Sequence, residues 1–440
     1  MSCHLNMKNI APVFVFVIYV LFTGCNQVSR RVDNSNNRFS SVLHGLLGQK
    51  EYFQLETQLH LLKDSIENKE RLFFQAFLDN AFNRKERSIR VIDTLLTNYF
   101  SQLSDTTKAA LLLLKDDDYF KLYQYAKSAR NIDTVLENYQ AALDSDKISD
   151  IKNDLLIRNA LQSVPPQEVI IRERAYIPWK KDRIGLVEIP VRTREQTYDC
   201  IFDTRANISS ISQTYAAKLG LKMLDVSYEE GTGITGITFK TGLGIADSLF
   251  IGDVLLKNVV FQVMPDSILY FPPIKFRLNV IIGFPVIEAF REIQIYKDGK
   301  MIIPVIPTKK DLHNFALDGL DPVVSLKTGN DTLCFHLDMG ATSTDLYYAY
   351  FEKYKPQIQN KGKIKTIQIG GAGGIQKKEV YIIPDFAVYL ENKKIRIDSV
   401  AVHMEKIHPA EKYFGNLGQD FTSKFNEIIM NFNYMYLSAN

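Results

Sequence analysis

Two short stretches decide the fold: Ile201-Phe202-Asp203-Thr204-Arg205-Ala206-Asn207 and Phe335-His336-Leu337-Asp338-Met339-Gly340-Ala341-Thr342. Each sets one Asp directly after an apolar, strand-forming run and ahead of an Ala with a small polar neighbour. A glycine-rich segment follows each: Gly231-Thr232-Gly233-Ile234-Thr235-Gly236 and Gly370-Gly371-Ala372-Gly373-Gly374. Gly236 lies as far beyond Asp203 as Gly371 lies beyond Asp338. Further on come Val280-Ile281-Ile282-Gly283-Phe284 and Asn416-Leu417-Gly418-Gln419-Asp420-Phe421. Gly283 and Gly418 again stand at one shared offset from their respective Asp. Three landmarks at equal offsets imply two structural copies of one unit.

At these residues the chain resembles the aspartic peptidases of the pepsin and retroviral-protease type. A lobe of that family carries Asp-Thr-Gly followed by Ala or Ser, a glycine-rich flap hairpin and a later apolar-apolar-Gly. The resemblance covers roughly Ile184 to Leu437. It implies a bilobal, retropepsin-like arrangement with Asp203 and Asp338 as the catalytic pair. Thr204, Arg205, Ala206, Met339, Gly340 and Ala341 would support the loops. Gly231, Gly233, Gly236, Gly370, Gly371, Gly373 and Gly374 would form the flaps, and Gly283 and Gly418 are the family-type hydrophobic-Gly positions. The chemistry explains two copies. Two carboxylates held close together share one proton, so one activates water as a base while the other donates to the amide. The implied substrate is an extended peptide or protein, bound as an added strand. No cofactor and no metal is implied.

The chain departs from the family pattern in both copies. Arg205 stands where the family has Gly, a substitution expected to strain the turn and to place a cation able to hold a carboxylate ionised. Met339 replaces the Thr whose hydroxyl bridges the lobes, and Met cannot donate that hydrogen bond.

Outward from these stretches the sequence changes character. The 440 residues carry a net charge of +3, with 46% hydrophobic and 23% charged residues, which is globular composition and gives no reason to expect a nucleic-acid partner. Four Cys with no CxxC exclude a disulfide-dense scaffold and a Cys-rich zinc site. Ile10 to Phe22 is an uncharged apolar run, shorter than a spanning helix needs, preceded by Lys8 and followed by Thr23-Gly24-Cys25. Leu21 to Cys25 resembles a bacterial lipobox, which implies lipidation at Cys25 and an exported protein held by that lipid on a bacterial membrane, at the outer membrane or its periplasmic side; the alternative is an uncleaved membrane anchor.

Between Phe39 and Gln162 apolar residues recur at helical spacing, as at Leu55, Leu59, Leu62 and Ile66, predicting six to eight short amphipathic helices. They resemble tetratricopeptide-type hairpins, without signature residues at a fixed period, and the expected role is packing and spacing, with a protein partner as the alternative. Asp105 and Asp116 are expected N-caps, and Asp116-Asp117-Asp118 a solvated helix start. Pro165-Pro166 ends the helices. Pro190 predicts a strand end or edge.

The expected organisation is a signal peptide over 1–25, a polar tether over 26–38, an all-α helical domain over 39–165, and an all-β aspartic-peptidase-like pair of lobes over 166–310 and 311–440. The expected function is aspartic endopeptidase; the alternatives are a catalytically degenerate peptide-binding form and a helical scaffold lipoprotein. Other signals read blandly. The G-x-G-x-x-G at 231–236 lacks the helix a dinucleotide site needs. His403 and His408 flank Glu405 at the wrong spacing for a metal site. Cys200 and Cys334 read as buried small hydrophobes, with a cross-lobe disulfide as the alternative, and Trp179 as a packing residue.

Overall fold

The computed structural model describes residues 27–231, 238–371, 374–407 and 411–440. The apolar N-terminal run, Cys25, Gly233, Gly236, Gly373 and His408 lie outside those residues. A helical region precedes a β-rich region. Among the described residues seven α-helices come first: α1 (Gln27–Gly48), α2 (Tyr52–Leu61), α3 (Asn68–Ala81), α4 (Lys85–Asn98), α5 (Asp105–Lys121), α6 (Tyr125–Asn138) and α7 (Ser145–Leu161). Most of the stretch expected as a tether is therefore helical backbone. Its polar composition does not forbid a helix, and it holds no Gly or Pro to break one.

The helices carry a repeat that the expected signature did not reveal. Ser88-x-Arg90-x-Ile92-Asp93-Thr94-x-Leu96-x-Asn98-Tyr99 recurs as Ser128-x-Arg130-x-Ile132-Asp133-Thr134-x-Leu136-x-Asn138-Tyr139. The structure repeats with it. Helices α4 and α6 share length and position at that spacing, as do α5 and α7, and each of α4 and α6 runs into a short 3-10 turn. Ile92 and Ile132 are buried, as are Ser88 and Ser128. Asn83 and Tyr123 both turn the hairpin with positive φ. The first residues of α5 and α7 follow side-chain caps. Ser104 accepts the Thr107 N–H at 3.2 Å, and Asp144 accepts the Lys147 N–H at 2.7 Å. Asp105 is thus one residue inside the cap. Asp116 is not a cap at all: it lies in the last turns of α5, buried beside Arg158 and the Ser128 hydroxyl. Asp118 is buried too, accepting from the Asn80 amide at 2.9 Å. The acidic run faces α6, α7 and α3 rather than solvent, because α5 is covered on both sides by its repeat neighbours.

In the first part of the β-rich region, the strand Thr197–Phe202 pairs in parallel with Val280–Ile282, which runs antiparallel to Ser209–Ser212. In the second part Asp331–Leu337 pairs in parallel with Gly415–Leu417, which runs antiparallel to Asp345–Leu346. The register repeats residue for residue. Ile281 faces Ile201 and Ser210, and at the corresponding position of the second part Asn416 faces His336 and Asp345. A five-stranded sheet joins the two parts through Glu292–Tyr296 and Glu427–Asn431. Their antiparallel register is centred on Gln294 and Ile429, which are separated along the chain by the same interval as Asp203 and Asp338. Pro190 lies inside the strand Val187–Arg192 rather than at its end. Along that strand's other edge the partner Lys180–Lys181 stops at Glu188 and the partner Thr238–Ile251 begins at Val191. Proline, which has no N–H for a ladder, falls in the gap.

One apolar core runs from Leu43, Leu55 and Phe74 of the helices through Phe202 and Phe284 to Leu337 and Phe432. The hairpin turns of the helical repeat dock on the helix Phe284–Ala289. The Asn83 amide donates to Glu288 at 2.8 Å, Lys85 pairs with Glu288 at 2.9 Å, and the Tyr123 hydroxyl donates to the Pro285 carbonyl at 3.1 Å. Tyr125, Ile157 and Leu161 share a second cluster with Tyr228, Leu243 and Ile245 of the β-rich region.

Candidate active site

Each candidate Asp is the first residue past its strand. The Asp203 N–H donates to the Ile282 carbonyl at 3.1 Å and the Asp338 N–H to the Leu417 carbonyl at 2.9 Å. Each loop then folds against the glycine that ends the neighbouring strand. A Cβ at Gly283 would stand 2.5 Å from the Ala206 carbonyl oxygen, and one at Gly418 would stand 2.6 Å from the Ser343 carbonyl oxygen. Both glycines are required by this close approach. The closure is the same on both sides: Phe284 N–H to Ala206 O and Gln419 N–H to Ala341 O, each 2.8 Å. Gly283 N–H donates to Ser209 Oγ at 3.0 Å, and Gly418 N–H to Thr344 Oγ1 at 3.1 Å.

The loops meet across the two parts. The Thr204 hydroxyl donates to the Leu337 carbonyl at 2.7 Å and accepts the Met339 N–H at 2.9 Å. Thr204 therefore ties the two Asp loops together from one side. Met339 is buried and joins through its backbone, its carbonyl accepting the Gln419 amide at 2.9 Å. On each carboxylate, Oδ1 accepts a backbone N–H at 2.8 Å, from Arg205 for Asp203 and from Gly340 for Asp338. Gly340 also shows how close the two acids are. A Cβ there would lie 2.3 Å from Cγ of Asp203. The peptide that binds Asp338 thus has its α-carbon against the Asp203 carboxyl, and no larger residue fits.

Arg205 does not strain its turn. Its backbone stays out of the left-handed region and donates as Gly340 does. The expected strain is absent because Arg205 keeps a negative φ that an L-residue adopts freely. Its guanidinium instead crosses to the second part. Nε faces Asp321 at 3.5 Å, and Nη1 reaches the Tyr347 hydroxyl at 3.4 Å and Asn416 Oδ1 at 3.3 Å. Asn416 Nδ2 donates to Asp338 Oδ2 at 2.9 Å. Asp321, Tyr347 and Asn416 were missed from sequence. Only Asn416 carried a signal, as the polar residue at the position where the first part has Ile281.

Burial raises both carboxyls above their ordinary range. At Asp203 the neighbouring Asp338 charge adds to that rise, against the Arg205 backbone N–H. At Asp338 the Arg205 charge, the Asn416 amide and the Gly340 N–H all oppose it. Both residues remain partly exposed, so water reaches them.

The glycine-rich segments sit on hairpins. Lys363–Gly371 pairs with Gly374–Leu390 down to Gly371 and Gly374, the latter at φ +128°. Gly370 comes against Phe271 of the first part. Tyr228–Gly231 pairs with Thr238–Ile251, so a strand, not a helix, follows the G-x-G-x-x-G. Cys200 and Cys334 are buried free thiols. Trp179 Nε1 donates to the Tyr296 and Lys300 carbonyls at 3.0 and 3.2 Å. His403 pairs with Asp345 at 2.9 Å.

Residues 189–286 match the sequence model of the aspartyl proteases, a span that holds Asp203, the first hairpin and Gly283. That match supports an aspartyl protease domain in this chain. No curated protein matches the chain.

Proposed function

We propose that the chain is an aspartic endopeptidase whose two lobes are copies of one unit, with Asp203 and Asp338 as its dyad. The observation that carries this reading is Gly340, whose N–H binds one carboxylate at 2.8 Å while its α-carbon leaves no room beside the other. Two carboxyls so placed retain one proton between them. The ionised carboxylate takes a proton from a water, and the water oxygen attacks the peptide carbonyl carbon. The protonated carboxyl polarises the carbonyl oxygen, and a proton reaches the departing amide nitrogen as the C–N bond breaks. Supporting the bilobal reading are the repeated strand register and the sheet centred on Gln294 and Ile429. The hairpin ending at Gly371 and Gly374 supports an extended peptide as substrate, covered by backbone.

The test is cleavage of a peptide library by the full chain from acid to neutral pH. Cleavage that is lost in both Asp203→Asn and Asp338→Asn is expected. Peptide binding without cleavage in the wild type would overturn the enzymatic reading and assign a peptide-binding role to the same fold.

A further inference from the structure

The two Asp loops correspond position by position, but their polarity differs at two places. The first part has Arg205 where the second has Gly340, and it has Ile281 where the second has Asn416. These two departures meet. Arg205 Nη1 donates to Asn416 Oδ1 at 3.3 Å, and Asn416 Nδ2 donates to Asp338 Oδ2 at 2.9 Å. The guanidinium has donors only, so it fixes which way the Asn416 amide points and presents the NH₂ to Asp338. Asp338 therefore accepts on both oxygens, from Gly340 and from Asn416, with a cation one residue behind. Asp203 accepts the Arg205 N–H on Oδ1, and the Ala206 N–H and the Arg205 charge also favour its ionised form, but the Asp338 charge opposes it, and at the place corresponding to Asn416 it has Ile281, whose side chain donates nothing.

We propose that Arg205, acting through the Asn416 amide, makes Asp338 the ionised member of the pair and leaves the shared proton on Asp203. Asp338 is then the base that takes the proton from water, and Asp203 the acid that serves the amide. This rests on the endopeptidase reading and adds the assignment of the two roles. Arg205 and Asn416 are positioning residues in it. The Arg205 charge acts on both carboxyls, and Asp203 differs from Asp338 in also being raised by its partner's charge. Asp321 and Asp345 carry negative charge and work against ionisation of Asp338. Asp345 is held by His403, Tyr347 is kept protonated by burial, and His336 is kept neutral by burial. Arg205 is the cation that opposes Asp321 and Asp345.

The experiment is the pH dependence of kcat/KM for the full chain, on a peptide it cleaves, in wild type, Arg205→Gly, Asn416→Ile and Arg205→Lys. The acid limb reports formation of the first carboxylate. Removing the Arg205 charge, or the Asn416 hydrogen bond to the charged form, disfavours ionisation of Asp338, so the acid limb is expected to move upward by roughly one unit in Arg205→Gly and Asn416→Ile. In Arg205→Lys it moves less. A fall in kcat at all pH values with the acid limb in place would overturn the proposal, since that is what loss of structure alone produces. Carbon-13 NMR of chain labelled at Asp Cγ reads the same titration without turnover. If the wild type cleaves nothing, the endopeptidase reading fails on its own. An unchanged lower step of the Asp203–Asp338 pair in Asn416→Ile would then overturn this proposal separately.

Discussion

At the residue scale, the account depends on how closely two loops approach. Gly340→Ala places a methyl where the Asp203 carboxyl already is, 2.3 Å from its Cγ. The carboxylates must move apart, and a misplacement of about 1 Å costs catalysis about 100-fold. A loss of at least that size in kcat/KM is expected, and near-wild-type cleavage would contradict the proximity. Asp203 also makes stability depend on pH. Its folded pKa is raised by burial and by the Asp338 charge. A raised carboxyl contributes stability that is fully present below the unfolded value near pH 4 and is lost as pH rises through the folded value. Asn has no such loss. In urea unfolding, Asp203→Asn is expected to gain on the wild type as pH rises from about 4 to about 8. A difference that stays flat over that range would show an unperturbed carboxyl. The Asp loops were legible in the sequence because each landmark answers a local need: a carboxylate after a strand, and a glycine where backbone meets backbone. Asn416, Tyr347 and Asp321 were not. They reach Arg205 from distant parts of the chain; only Asn416 stood out, as a polar residue at the equivalent of Ile281, and the identities of Tyr347 and Asp321 follow from a side chain's path that no spacing encodes.

At the element scale, the helical array holds the first hairpin. On α7, the Asn153 amide donates to the Glu229 carbonyl at 2.8 Å and its carbonyl accepts the Glu229 N–H at 3.1 Å. The side chain acts as one more partner for the strand Tyr228–Gly231. Beneath it, Ile157 and Leu161 pack with Tyr228 and Leu243. Each such hydrogen bond contributes about 1 kcal/mol, and Asn153→Ala removes two, so it is expected to speed amide exchange over residues 228–231 roughly thirtyfold. Unchanged exchange would mean that the packing alone fixes the hairpin. The helices themselves were legible from apolar spacing, whereas the repeat among them was hidden. The recurring Ser-x-Arg-x-Ile-Asp-Thr is not a family signature, and its buried Ser88 and Ser128 look like surface residues until the neighbouring helices are in place.

At the scale of the whole molecule, helices and β-rich region share one core, and the repeat's turns bear on the helix that starts just after Gly283. The expected division at Pro165-Pro166 marks a change of secondary structure and not a break in packing. The central claim is that two loops far apart in the sequence, one at Asp203 and one at Asp338, form one catalytic pair. It is tested most directly by cleavage of a peptide library across acid to neutral pH by the full chain and its Asp338→Asn variant. Asp338 lies outside the segment that matches the aspartyl proteases, so its part in the pair rests on the geometry described above. Loss of all cleavage in Asp338→Asn, with folding retained by circular dichroism, is the result the account predicts. Cleavage that persists in the folded variant would contradict it.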